Sequence, residues 1–247
     1  MSKVKKHPHA GMSGARGAFV KAIHELTRSG HRNHREVFSD FLELSFCALA
    51  AQTHPRDSER GHELEKRYMR VVGDRDPEYI RRMPELLSMM AIALNEEPCD
   101  FLGSVAGELG ALNEHMGQFF TPFHVSYLMA QMLLSDVGEV IKRDGHVVVG
   151  EPTCGSGGMV IAAAQVVRDL GFDPRKHMYV QAVDLSATAF QMAYVQLSAC
   201  GIPADVIHGN SITLETFSAE RTMAAVLFAR QRALPPLGTQ LAFNLGD

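Results

Sequence analysis

Residues 150–158 read Gly-Glu-Pro-Thr-Cys-Gly-Ser-Gly-Gly, and no other stretch limits the fold as much. The four residues before it, His146-Val147-Val148-Val149, are rich in branched valine and form a run too short for a helix. After it, Met159-Val160-Ile161-Ala162-Ala163-Ala164-Gln165-Val166-Val167 opens an amphipathic helix. The order is strand, acidic residue, glycine turn, helix, which is the context of a nucleotide-binding loop in an α/β protein. Gly155, Gly157 and Gly158 let the backbone turn tightly and approach a ligand, with the unpaired amides of the helix start facing it.

A second strand follows at His177-Met178-Tyr179-Val180-Gln181-Ala182-Val183 and ends in Asp184. A carboxylate there is placed to accept the two hydroxyls of a ribose. Each such charge-assisted bond contributes roughly 1.5–3 kcal/mol. Both a dinucleotide and S-adenosylmethionine carry a ribose. The dinucleotide fingerprint Gly-x-Gly-x-x-Gly fails, because position 160 is Val. Glu151, just ahead of the turn, would repel a pyrophosphate but suits the amino group of a methionine moiety. These two departures place S-adenosylmethionine ahead of a nicotinamide dinucleotide, and a methyltransferase ahead of an oxidoreductase.

The motif Glu-Pro-x-Cys-Gly-Ser-Gly-Gly resembles the first motif of adenine-specific DNA methyltransferases, above all the modification subunits of type I restriction systems. Gly117-Gln118-Phe119-Phe120-Thr121-Pro122 is similar to that family's cofactor-proximal segment, one helix ahead of the first strand. His208-Gly209-Asn210-Ser211 resembles its third motif, at the end of a third strand over residues 204–208. The resemblance covers residues 117–214. It implies a Rossmann-like parallel sheet, shortened at its C-terminal end, with S-adenosyl-L-methionine as cofactor. The implied cofactor-binding residues are Phe120 and Thr121 at the methionine end, and Glu151, Pro152, Thr153, Cys154, Gly155, Ser156 and Gly157 in the turn. Asp184, Leu185 and Asn210 complete the set, Asn210 toward the adenine. Cys154 at a helix start could be an activated thiol, but the family pattern gives it the plainer role of a small residue that fits the turn.

Residues 1–115 have a different character. Lys3, Lys5, Lys6, Arg16, Lys21, Arg28, Arg32 and Arg35 face one acid, Glu25, and several small residues suggest a flexible start. The start reads either as a solvated tail or as an arm that neutralises DNA phosphates. The whole chain carries a formal charge of −4, so nucleic-acid binding requires a local patch of this kind. His31 and His34 have no further ligand cluster beside them, and no metal site is expected. From residue 33 to 113 apolar spacing is helical throughout, a module with no catalytic constellation of its own. The expected division is 1–115 for arm and helical module, and 116–247 for the cofactor domain, with a helix spanning residues 122–143 leading in. Four scattered cysteines and the absence of an apolar run long enough to span a membrane indicate a reduced, cytoplasmic protein.

The resemblance stops after Asn210. The family's fourth motif, Asn or Asp followed by Pro-Pro and an aromatic residue, holds the target amine and stacks on the flipped base. Here Met223-Ala224-Ala225-Val226-Leu227-Phe228-Ala229-Arg230 offers a fourth strand or short helix, and Leu234-Pro235-Pro236-Leu237 lacks both amide and aromatic ring. Catalytic residues therefore stay unassigned. Two classes remain open: an adenine-specific DNA methyltransferase, or a subunit of one, whose amine clamp comes from elsewhere; and a degenerate cofactor-binding protein acting through DNA or a protein partner in regulation or antirestriction. A sheet of three or four strands leaves an open edge, for which a homodimer or a partner subunit is expected.

Overall fold

The computed structural model describes residues 9–30, 32–111 and 121–240. Its N-terminal half is helical: α1 (His9–Gly30), α2 (His34–Ala50), α3 (Glu59–Gly73), α4 (Pro77–Glu96) and α5 (Phe101–Glu108). Local chemistry sets most of their starts. Asn33 and Glu36 form a reciprocal capping box ahead of α2. Ser58, Asp76 and Asp100 cap α3, α4 and α5 with side-chain oxygens, and Pro77 occupies the first turn of α4.

Residues 9–30 depart from the expectation of a flexible start. Residues 9–30 form a helix whose Phe19 and Ile23 are fully buried, Phe19 meeting Phe41 and Phe101 edge-on at 5.2 and 5.3 Å. The buried residues Phe19, Val20, Ile23 and Leu26 recur at helical spacing, which outweighs the glycines. Arg16 pairs with Glu108 and Lys21 with Glu25. His34 hydrogen-bonds His24, Nε2 to Nδ1, at 2.6 Å. Lys3, Lys5, Lys6 and His31 lie outside the described residues.

The expected helix over 122–143 is two helices, α6 (Phe123–Leu133) and α7 (Val137–Asp144). The turn between them lets α6 pack along α8 (Gly158–Asp169) while α7 meets strand β1 (Val147–Glu151). The short α9 (Pro174–His177) leads into β2 (Met178–Asp184), and α10 (Ala187–Ala199) leads into β3 (Ala204–Asn210). β4 (Glu215–Arg221) and α11 (Met223–Ala229) follow. The strand order is β1-β2-β3-β4. β1, β2 and β3 run parallel, but β4 is antiparallel to β3, which corrects the expectation of a wholly parallel sheet. The segment offered as a fourth strand or short helix is the helix α11. β4 escaped notice because Glu-Thr-Phe-Ser-Ala-Glu-Arg has almost no apolar alternation, its first three residues being exposed.

Alternation along β2 divides the sheet faces. Met178, Val180 and Ala182 join the main core with α8 and α10, whereas Tyr179 points the other way against Ala225 and Phe228 of α11. The main core runs without a break from α1 through α5 into α8 and α10. Phe46 of α2 contacts both Phe190 and Tyr194 of α10 at 5.2 Å. Glu43 of α2 takes a two-point bond from Arg67 of α3 and a third from Gln191 of α10. The fully buried Glu220 of β4 is held by Arg60 and His54. The helical module is thus built onto the sheet through α10 and β4. No helix among the described residues is long and apolar enough to cross a membrane.

Candidate functional site

Three parallel strands bring the predicted acidic and polar residues to one end of the sheet. Glu151 closes β1, Asp184 closes β2 and Asn210 closes β3, all at carboxyl ends, where open α/β sheets bind ligands. Between β1 and α8 the chain makes the glycine turn. Gly155 and Gly157 have φ of +55° and +94°, a region that side-chain-bearing residues rarely adopt. Gly157 is the N-cap of α8 and supplies no side-chain acceptor, so the helix start is open to a ligand.

Hydrogen bonds fasten the turn to the second strand. Cys154 N–H donates to the Val183 carbonyl at 2.8 Å, and Gly155 N–H donates to Asp184 Oδ2 at 2.8 Å. Asp184 Oδ1 accepts from Ser186 N–H at 2.8 Å. Asp184 is therefore a brace for the turn, and each of its oxygens keeps a further lone pair for a hydroxyl. Glu151 Oε1 accepts a long bond from Thr153 N–H, 3.3 Å. Burial raises the Glu151 pKa above the usual carboxylate value, the Thr153 hydrogen bonds oppose this, and the nearby Asp184 carboxylate adds to it. The Asp184 carboxylate acts on Glu151 across the mouth of the turn, and two acidic groups so placed favour a cationic group over a pyrophosphate.

The remaining expected residues fall into place unequally. Cys154 is buried and its thiol pKa is pushed well up by burial, which leaves it protonated and unreactive. Ser156 is buried, Pro152 is half-buried and Thr153 is exposed. Leu185 stands exposed directly after Asp184, an apolar surface beside the site. Asn210 Oδ1 accepts from Ile212 and Thr213 N–H at 2.9 and 3.2 Å, so its oxygen shapes the β3–β4 turn and its amide N–H₂ is the part that could meet a ligand. Thr121 is exposed two residues ahead of α6 and takes no part in the bonds that hold the turn; Phe120 lies outside the described residues. Sequence reasoning missed Asp100 and Gln196, which lie buried behind Ser156. In sequence Asp100 shows only the residue type of a helix start. No group of three or more His, Cys, Asp or Glu among the described residues is arranged to hold a metal ion.

The profile of the family described as N-6 DNA methylase matches residues 102–231, more than half of the chain. The chain belongs to the N-6 DNA methylase family. The matched segment begins in α5 and contains the glycine turn, Asp184 and Asn210. S-adenosyl-L-methionine is the cofactor of this family of methyltransferases, and the site fits it: the ligand carries an ammonium and a sulfonium, and Glu151 and Asp184 supply the acidic surroundings. No curated protein matches the sequence significantly. Among solved structures, this family member is similar to a Listeria monocytogenes protein assigned to the class I S-adenosylmethionine-dependent methyltransferases, with 14% identity and a TM-score of 0.33. The match covers 77% of this chain and 52% of the other, so the chain spans about half the length of that protein.

Proposed function

We propose that this chain forms the S-adenosylmethionine-binding part of an adenine-specific DNA methyltransferase, in which the methyl group passes to the exocyclic amine of a flipped adenine. The observation that carries this reading is the pairing of Glu151 and Asp184 beside the uncapped start of α8. In this reading Glu151 accepts from the ammonium of the cofactor and Asp184 from its ribose. Leu185 and the Asn210 amide border the adenine, and Phe120 and Thr121 border the methionine end. DNA is assigned to the basic start of the chain, including the exposed side chains of Lys21 and Arg28 on α1.

One observation bears on the amine clamp. Between Asn210 and Asp247 the sequence holds no Asn or Asp followed by Pro-Pro and an aromatic residue, and the element after β3 is an antiparallel strand. Losing a single well-placed polar group from such a site lowers a rate by about a hundred- to a thousandfold. This polypeptide alone is therefore expected to bind S-adenosylmethionine while transferring its methyl group to adenine very slowly, the clamp being supplied from outside the motifs that residues 1–247 carry. A purely regulatory cofactor-binding protein is the alternative outcome. The test incubates the 247-residue polypeptide with labelled cofactor and mixed-sequence DNA, measuring binding directly and methyladenine by mass spectrometry of hydrolysed DNA. Failure to bind the cofactor overturns the proposal, and abundant methyladenine from this polypeptide alone overturns the need for a clamp from outside residues 1–247.

A further inference from the structure

Asp100 has no part in the cofactor contacts described above, yet its carboxylate lies directly under the glycine turn. It is nearly fully buried and makes three bonds, all to neutral groups. Oδ1 accepts from Gly103 N–H at 2.9 Å, which caps α5, and from Gln196 Nε2 at 3.0 Å; Oδ2 accepts from Ser156 Oγ at 2.6 Å. The same Gln196 Nε2 donates to the Ser156 carbonyl at 2.6 Å, and Gln196 Oε1 accepts from Leu102 N–H at 2.9 Å. Ser156 is thus gripped at its hydroxyl and at its carbonyl by residues from two helices outside the turn. Packing preserves the approach. A methyl group on Gly103 would stand 2.1 Å from Asp100 Oδ2 and 2.5 Å from Ser156 Oγ, and one on Gly158 would stand 3.0 Å from Asp100 Cβ.

A helix cap does not require this arrangement. One acceptor is enough for a cap, and a neutral Ser or Asn supplies it without a buried charge. Burial does raise the Asp100 pKa, with the three hydrogen bonds pulling it back, so the carboxylate is held at some expense of stability. What the second oxygen adds is the bond to Ser156. That residue lies between Gly155 and Gly157, the two left-handed positions of the turn, where glycine leaves the flanking backbone little restrained. We propose that Asp100, with Gln196, is a positioning residue for the cofactor turn, clamping Ser156 so that the amides of the turn are preorganised for S-adenosylmethionine and the helical module is coupled to cofactor binding. The inference rests on the reading of this turn as the cofactor site.

The experiment compares wild type with D100A, S156A and the conservative D100N, in two measurements. The first is hydrogen exchange without ligand at Cys154, Gly155 and Gly157, whose N–H groups are bonded within the turn and to β2. The second is titration with S-adenosylhomocysteine, the demethylated cofactor. D100A and S156A are expected to exchange about tenfold faster at these amides, with β2 unchanged, and to bind about tenfold more weakly, the loss typical of one buried hydrogen bond. D100N keeps an acceptor toward Gly103 and Gln196 and can donate to Ser156 Oγ, so it should restore both. If D100A does not fold, S156A, which removes one hydroxyl, gives the same reading. Turn exchange and binding at wild-type levels in the folded variants, with only melting temperature lowered, would reduce Asp100 to a helix cap and overturn the proposal. A turn that loosens in D100A while wild type itself fails to bind S-adenosylhomocysteine would uphold the clamp and sink the cofactor reading instead.

Discussion

Exchanging Glu151 for Gln should move affinity and stability in opposite directions. The carboxylate is largely buried, accepts one long bond from Thr153, and lies near Asp184. In the cofactor complex it would accept from an ammonium group, a charge-assisted bond contributing roughly 1.5–3 kcal/mol. Its loss corresponds to about a ten- to hundredfold rise in Kd. Calorimetric titration with S-adenosylhomocysteine reads that change, and methylthioadenosine, which has the same nucleoside but no amino-acid portion, serves as control. E151Q should weaken the first ligand and leave the second unchanged. For pH the sign runs as follows. Because the folded pKa lies above the unfolded value, the native state binds more protons between the two values, and stability falls as pH rises through that window. Above it the ionised carboxylate is a burden that Gln removes, so E151Q should melt higher than wild type at pH values above that window. Wild-type affinity for S-adenosylhomocysteine should decline as pH drops through the raised Glu151 pKa, and E151Q should lack that decline. Equal binding of S-adenosylhomocysteine by both proteins, or equal loss of both ligands, would refute the assignment of Glu151 to the ammonium.

Asp184→Ala removes the acceptor of Gly155 and Ser186 N–H as well as the ribose partner, so it should weaken S-adenosylhomocysteine and methylthioadenosine alike, by about tenfold or more; methylthioadenosine binding at wild-type strength would take the ribose away from Asp184. Gly17→Ala should raise the melting temperature by about 1–4 °C, because Gly17 is exposed within α1, a methyl group there meets nothing within 4 Å, and Ala gains roughly 0.5–1 kcal/mol over Gly in a helix. An unchanged melting curve would fit a solvated tail better than a packed helix.

The parts of the fold that were legible in the sequence are those whose information is contiguous. A valine run, a glycine turn and an apolar helix follow one another without interruption, so β1, the turn and α8 were read within one or two residues. The same holds for β2 ending at Asp184, and for α4, opened by Asp76 and Pro77. Each of these is decided by neighbours in sequence, through side-chain period and capping chemistry. The acidic pair was legible for the same reason: Glu151 and Asp184 each end a recognisable strand, and parallel pairing of adjacent strands brings such ends together.

What was not legible is decided by partners far away in the chain. β4 has no strand pattern because its central stabilising residue is a charge. Glu220 is fully buried, and only His54 and Arg60, more than 150 residues earlier, make that tolerable. Leaving either ion of such a pair without its partner would typically cost about 3–5 kcal/mol, so the strand and the turn before α3 depend on each other. Asp100 hides its second role in the same way. In sequence it is a helix cap; in the fold its other oxygen reaches Ser156, 56 residues on, through space that Gly103 and Gly158 keep clear. Both links run from the helical module to the two ends of the cofactor half, one to β4 and one to the glycine turn. A helical segment with no catalytic residues of its own therefore bears on the cofactor site through two buried carboxylates, Glu220 holding the sheet and Asp100 the loop that the ligand would touch.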